Sequence, residues 1–300
     1  MSLGARLWTY QAERFPLFRT VPLLAVFSAA SINVSAVMAG RDLPGAGAYA
    51  AGLALGLILF FQMRAADEWK DRKIDAAFRP ERPIPRGLVS LRLIIGLGLA
   101  VIPVAALVAW GQGVLVLLLL VWVWLALMTA EFGAPEWLTA RPVLYLVSHM
   151  AIMPLIDLLL TGLEWAGRGG PAPALWLFLA LSLVNGCVLE IGRKTWAPES
   201  EREGVESYSR LWGPWAAAAV WLGFVALAAG LLIALGAATG APVAVGAVAV
   251  IGFAAAAAVV MGFRAAPSVK AEKRVDAAAG LWVLGCYAAA GFLPLVPGVF

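Results

Sequence analysis

Apolar residues gather in nine runs near 18–39, 44–63, 90–110, 113–130, 142–161, 174–192, 214–236, 241–262 and 277–297, with polar residues confined to the segments between them. A membrane-crossing helix needs about 17 to 25 such residues, so the pattern predicts nine spans. The third and fourth are joined by a tight turn at Gly111–Gly113. Before the first run lies a short interfacial segment with Trp8, Tyr10, Phe15 and Phe18, and that run is too long for a signal-peptide core. It is therefore expected to be a retained span. Polar positions concentrate in two charged connections, 64–90 and 191–214, which follow the second and sixth runs. Their separation by four spans hints at a repeated four-helix unit.

Composition agrees: of 300 residues, 62% are hydrophobic and 13% charged, against about 25% charged in soluble proteins. The expected architecture is an all-α integral membrane protein forming one polytopic domain over 1–300. Charge then sets orientation, because short loops rich in Lys and Arg stay cytoplasmic. Of the 22 Lys and Arg, all but Arg41 and Arg168 fall in the N-terminal tail or near the connections after even-numbered spans. That split predicts an N-in, C-out topology. Anionic headgroups account for the net charge of +4 without nucleic acid. Cys187 and Cys286 lie inside spans without metal-ligand spacing and read as core residues.

Asp67–Gly87, DEWKDRKIDAAFRPERPIPRG, is the densest charged patch. Asp67, Asp71 and Asp75 repeat every four residues and Glu68 adds a fourth acid. Carboxylates in helical register repel unless a cation sits among them. One reading is a solvated helix end in which Arg64 pairs with Glu68 and Asp67 with Lys70. The other is a site for Mg²⁺ that arrives with phosphate, since this ion binds through one or two carboxylates plus substrate phosphates. Arg79 and Arg82 are either phosphate clamps or headgroup contacts.

DEWKDRKID and the trailing RPIPRG resemble the first motif of the UbiA superfamily of intramembrane prenyltransferases, N/D-D-x-x-D-x-x-x-D followed by R-P-I/L-P-x-G. The resemblance implies a nine-helix bundle, Mg²⁺, an isoprenyl diphosphate donor and a lipophilic, often aromatic, acceptor. It also implies a plasma-membrane enzyme with its active site facing the cytoplasm. Asp67, Glu68, Asp71, Asp75 and Glu190 become expected metal ligands. The family's second motif, Asp-x-x-x-Asp on the sixth helix, is here Glu190-x-x-x-Lys194. Either Lys194 and Arg193 neutralise diphosphate where the family uses metal, or the second site has decayed. Arg141 occupies a place where the family commonly puts a basic residue facing diphosphate; the alternative is a positive-inside anchor.

His149 and Asp157 sit eight residues apart on the fifth span, and ionisable groups at membrane depth are functional candidates. His149 and Asn33 are expected to shape an acceptor cavity, unless His149 and Asp157 merely pair with Asn33 or Asn185. The chain lacks a G-x-S-x-G elbow, a P-loop and the D-G-x-x-A-R pattern of CDP-alcohol phosphotransferases. A terpene cyclase or a non-catalytic isoprenoid binder of the same family remains open. A secondary transporter fits less well, because most of the charge lies at the inner face.

Overall fold

The structure is a computed structural model that describes residues 1–297. Its helices are α1 (Leu3–Arg14), α2 (Leu17–Met38), α3 (Ala46–Lys70), α4 (Arg72–Phe78), α5 (Leu91–Ala100), α6 (Ile102–Gly111), α7 (Leu115–Thr129), α8 (Pro135–Thr139), α9 (Pro142–Met150), α10 (Ile152–Trp165), α11 (Trp176–Arg193), α12 (Tyr208–Trp212), α13 (Pro214–Ala238), α14 (Pro242–Ala265) and α15 (Val269–Phe292). Among the described residues, eight segments are long and apolar enough to cross a membrane, counting α5 with α6 and α9 with α10 as one segment each. The ninth expected span, α7, has 15 helical residues, about 22 Å at 1.5 Å per residue. That is shorter than a hydrocarbon core of about 30 Å.

Prolines set the internal breaks. Pro103 and Pro154 lack the N–H that would bond to Leu99 and Met150, and the helices divide at Val101 and Ala151. Gly113 (φ +73°) makes the sharp turn into α7. The ninth run was expected at 277–297, but α15 begins eight residues earlier at Val269. Ser268 accepts the Ala271 N–H there, and Glu272 occupies the first turn. Charged residues that hydropathy assigns to a loop are thus the opening turns of a helix.

Helix contacts close into a ring: α2 packs on α3, then α5 and α6, α7, α10, α11, α13, α14 and α15, which returns to α2. Small residues permit the tight crossings. A Cβ on Gly291 would fall 2.4 Å from the Ala30 Cα where α15 meets α2. Arg41 and Arg168, the two basic residues at the sparsely charged end, both reach Glu164, at 2.7 Å and 3.5 Å. Ser35 Oγ donates to the same buried carboxylate at 2.7 Å, so α2 and α10 are clamped there.

The other end gathers the charged connections. α1 lies across it, burying Tyr10 with Ala65, Val89 and Ile94. Arg6 donates to the Leu88 and Gly87 carbonyls, and Arg86 pairs with Glu13 at 2.7 Å. The RPIPRG loop is thereby held against the bundle.

Candidate active site at the charged end of the bundle

Successive helical residues are turned by about 100°, which divides the acids of the first motif. Asp67 and Asp71 share one face of the α3 terminus. Glu68 points instead toward α1, where Arg14 Nε meets its Oε1 at 2.6 Å and the side chain is buried. Asp67 keeps 47% of its side chain exposed and has a long 3.4 Å contact to Arg64. Asp71 caps α3 with φ −81° and ψ −2°, and α4 follows in a new direction. Asp75 is consequently buried between Arg79 at 3.3 Å and Arg82 at 2.6 Å. The pairs Arg64–Glu68 and Asp67–Lys70 of the solvated-helix reading do not form, because Arg14 and Glu131 take Glu68 and Lys70.

The end of α11 supplies the second half. Glu190 accepts from Arg193 at 2.5 Å and pairs with Lys194 at 2.9 Å. Asp67 lies in electrostatic range of Arg193, Glu190 and Asp71, and Arg193 in range of Asp276 on α15. The loop after α11 is tied down by Glu272, which accepts from the Ala197 N–H at 2.7 Å and Ser200 Oγ at 2.6 Å. Arg202 reaches Glu81 at 3.0 Å, and the Phe78 ring rests on Gly204, where a Cβ would fall 2.2 Å from it. The two charged connections therefore touch, and between them is a polar cavity of about 480 Å³ lined by Arg79, Arg82 and Arg202 together with Glu81, Glu199 and Glu272. Burial, then the neighbouring Arg82 guanidinium, pull Arg79 below its ordinary pKa against the opposing pull of Asp75.

A cluster that sequence reading missed adjoins this site. Lys70 Nζ lies 2.7 Å from Glu131, 3.2 Å from the Tyr145 hydroxyl and 3.1 Å from His149 Nε2. Tyr145 donates to Glu131 at 3.0 Å and stacks on His149 at 4.0 Å between centroids. Glu131 and Phe132 both adopt positive φ, +50° and +51°, conformations costly for such residues. The legible signal was Tyr145 and His149 one turn apart on α9, but Glu131 is placed by a turn that apolar patterning does not encode.

Four expectations change here. His149 belongs to the Lys70–Glu131 cluster rather than to an apolar cavity wall. Asn33 is nearer the opposite end of α2 and accepts from the Tyr49 hydroxyl at 2.6 Å. Asp157 pairs with neither Asn33 nor Asn185; Ser31 donates to it at 2.7 Å and Tyr287 at 2.5 Å. Arg141 turns back onto its own loop, donating to the Trp137 carbonyl at 2.9 Å with its guanidinium 4.3 Å from the indole centroid.

No three His, Cys, Asp or Glu side chains among the described residues are set to hold a metal ion by themselves. Glu68, Asp75 and Glu190 each pair with resident cations, Arg14, Arg82 and Lys194. Asp67 and Asp71, four residues apart and the least engaged of the carboxylates, are chemically suited to Mg²⁺ that is also bound by phosphate oxygens and water. Asp71 enters none of the ion pairs formed by its charged neighbours.

Beside the charged face an apolar cavity of about 560 Å³ opens between α2, α3, α10, α11 and α15, lined by Phe27, Phe60, Met153, Leu189, Leu284 and other residues. Its mouth carries Arg19 and its wall Ser182, Asn185 and Tyr287.

The model of the UbiA prenyltransferase family matches residues 24–284. Among solved structures, the chain resembles one from work on a digeranylgeranylglyceryl phosphate synthase in membranes, with 13% identity, TM-score 0.64 and coverage of 96% of this chain and 98% of the other. It also resembles a UbiA homologue from Aeropyrum pernix K1 in its apo form, with 17% identity, TM-score 0.65 and coverage of 86% and 94%. Among curated proteins, no sequence matches the chain.

Proposed function

The chain belongs to the UbiA prenyltransferase family, and from that premise we propose that it transfers an isoprenyl group from an isoprenyl diphosphate to a lipophilic acceptor within the membrane. The observation carrying this reading is the charged face onto which the ends of α3 and α11 both open, with Asp67 in electrostatic range of Glu190 and Arg193, next to an apolar cavity of about 560 Å³. Such a site holds an anion at the membrane surface and a hydrocarbon below it. The topology that goes with it has nine spans and an N-in, C-out orientation, with the charged end cytoplasmic.

In this account Arg79, Arg82, Arg193 and Lys194 bind the diphosphate and lower the cost of charge on its departing oxygen. Lys194 acts as a compact point charge, and Glu190 positions it together with Arg193. Asp67 and Asp71 would hold Mg²⁺, which would supply further neutralisation of charge on the leaving group. Carbon–oxygen cleavage leaves an allylic cation, the acceptor's electron pair forms the new bond, and the acceptor then gives up a proton. Apolar and aromatic walls keep water from the cation.

The test is diphosphate release by purified protein with Mg²⁺ and a panel of prenyl diphosphates, with and without membrane extract. Acceptor-dependent release supports transfer; release without acceptor indicates a cyclase, and binding without release a non-catalytic protein. The cation at Lys194 gives a second check. In Lys194→Asp, half-maximal diphosphate binding should require about tenfold or more additional Mg²⁺, because one phosphate charge loses its resident partner. An unchanged Mg²⁺ requirement would remove Lys194 from the site.

A further inference from the structure

Behind α3 lies a second apolar cavity, of about 630 Å³, between α3, α5, α6 and α7. Small residues on the facing helices, Ala66, Gly98 and Ala126, leave the space, and Ile95, Leu99 and Leu125 wall it. Leu99 is 59% exposed, so the cavity is a groove open on the bilayer side of the bundle. The polar side chains along its wall are satisfied internally. Gln62 Nε2 donates to the Gly98 carbonyl at 3.1 Å, and Gln62 Oε1 accepts from Trp122 Nε1 at 2.9 Å. Thr129 Oγ1 donates to the Leu125 carbonyl at 2.6 Å. Such a wall suits hydrocarbon, because a polar group inside it would lose its hydration without compensation. The α3 residues that line the groove stand about 100° to 160° round the helix from Asp67. A prenyl chain whose diphosphate sits at Asp67 and Asp71 therefore belongs to the other face.

The charged end of the groove is basic and reachable. Trp69 lines the groove there and is 45% exposed. The Arg72 guanidinium lies 4.0 Å from the Trp69 ring centroid, and Arg72 donates to the Trp69 carbonyl at 2.6 Å. On α5, Arg92 is exposed and stands one turn before Ile95 and two before Leu99, toward the same end. Among the described residues, neither arginine enters an ion pair. Most other arginines at this end, Arg14, Arg79, Arg82 and Arg86 among them, have a carboxylate partner. Two unpaired cations from two helices, beside a hydrocarbon-lined groove that opens to lipid, match an amphiphile with an anionic head.

We propose that this groove is a binding site for an anionic diacyl phospholipid, with one acyl chain against Ile95, Leu99 and Leu125 and the phosphate held by Arg72 and Arg92. The lipid fills the space between α5–α6 and α7, where α7 has only 15 helical residues. The site lies on the opposite face of α3 from the prenyl-transfer site and stands whether or not that reading holds.

The matched probes are dioleoyl phosphatidylglycerol and dioleoyl phosphatidylcholine, which share their acyl chains and differ in net headgroup charge. Binding of each to the purified full-length protein in detergent is titrated by native mass spectrometry, with no turnover involved. The proteins compared are wild type, the double variant Arg72→Gln/Arg92→Gln, Ala126→Trp and a control, Arg264→Gln. Arg264 also lies over a tryptophan, 5.6 Å from the Trp215 ring centroid, but away from the groove. Wild type should prefer phosphatidylglycerol about tenfold or more, as expected for two arginines at one headgroup. The double variant should bring the two lipids within about twofold of each other, and Arg264→Gln should keep the preference. Ala126→Trp fills the groove from an exposed position and should weaken both lipids several-fold. Equal affinity of wild type for both lipids, a preference that survives loss of both arginines, or an equal loss in Arg264→Gln would overturn the proposal. So would unchanged binding of both lipids to Ala126→Trp. The thermal midpoint of each lipid-free variant reports its folding, and if Ala126→Trp does not fold, the arginine variants decide alone.

Discussion

Arg141 and Arg82 lie at the same end of the bundle and differ in what holds them. Arg141 stacks on Trp137 in its own loop, whereas Arg82 lines the polar cavity and shares Asp75 with Arg79. Arg82→Ala is expected to weaken binding of an isoprenyl diphosphate about tenfold or more, since charge-assisted hydrogen bonds are worth about 1.5 to 3 kcal/mol. Arg141→Ala is expected to change it less than about twofold. Equilibrium binding of a non-hydrolysable analogue to both variants checks the pair, and equal losses would show that Arg141 reaches the ligand. Residue spacing made half of this legible. The four-residue register of Asp67 and Asp71 survives in the structure, and the 100° offset of Glu68 was readable in principle. Its partner Arg14 was not, because that contact joins residues 54 positions apart and depends on how α1 lies across the bundle. The Lys70–Glu131–Tyr145–His149 cluster escaped for the same reason, since it needs two helices, α3 and α9, and a positive-φ turn to assemble.

At the level of elements, hydropathy located all eight segments that are long and apolar enough to cross a membrane, while helix ends reach beyond the apolar runs where charge enters a helix. α3 extends beyond the apolar run to Lys70 and α15 begins at Val269, because helix-forming charged residues propagate a helix into the interface as readily as apolar ones. These extensions matter for function: the candidate site is built from charged helix ends. Packing between elements depends on small residues that periodicity does not rank. Gly291→Ala would drive a methyl into the Ala30 backbone, and overpacking of this kind costs about 1 to 3 kcal/mol. The thermal midpoint in detergent should fall by several degrees, with prenyl diphosphate affinity retained, because this crossing lies near the far end of α15. An unchanged midpoint would mean that the α2–α15 contact is looser than described.

For the molecule as a whole, the ring of helices explains why two connections distant in sequence act as one site. Span two and span six each end in charge, and closing the ring brings those ends to a shared face. The asymmetry of Lys and Arg makes the orientation testable. Reporters fused to the N-terminus and C-terminus should appear on opposite sides of the membrane, with the N-terminal reporter cytoplasmic. Finding both on the same side would require an even number of spans and would direct attention to α7, whose 15 residues fall short of a full crossing. The same geometry states the central claim, that the two charged ends and the apolar cavity form one prenyl-transfer site. Its most direct test is diphosphate release from a prenyl diphosphate by wild type and Asp71→Asn, with Mg²⁺ and a membrane extract as the source of acceptor. The account predicts acceptor-dependent release by wild type and a loss of about a hundredfold or more in the variant, from removal of a charge that holds the leaving group's counter-ion. Release at equal rates in both proteins would contradict it, as would no release by wild type with any donor.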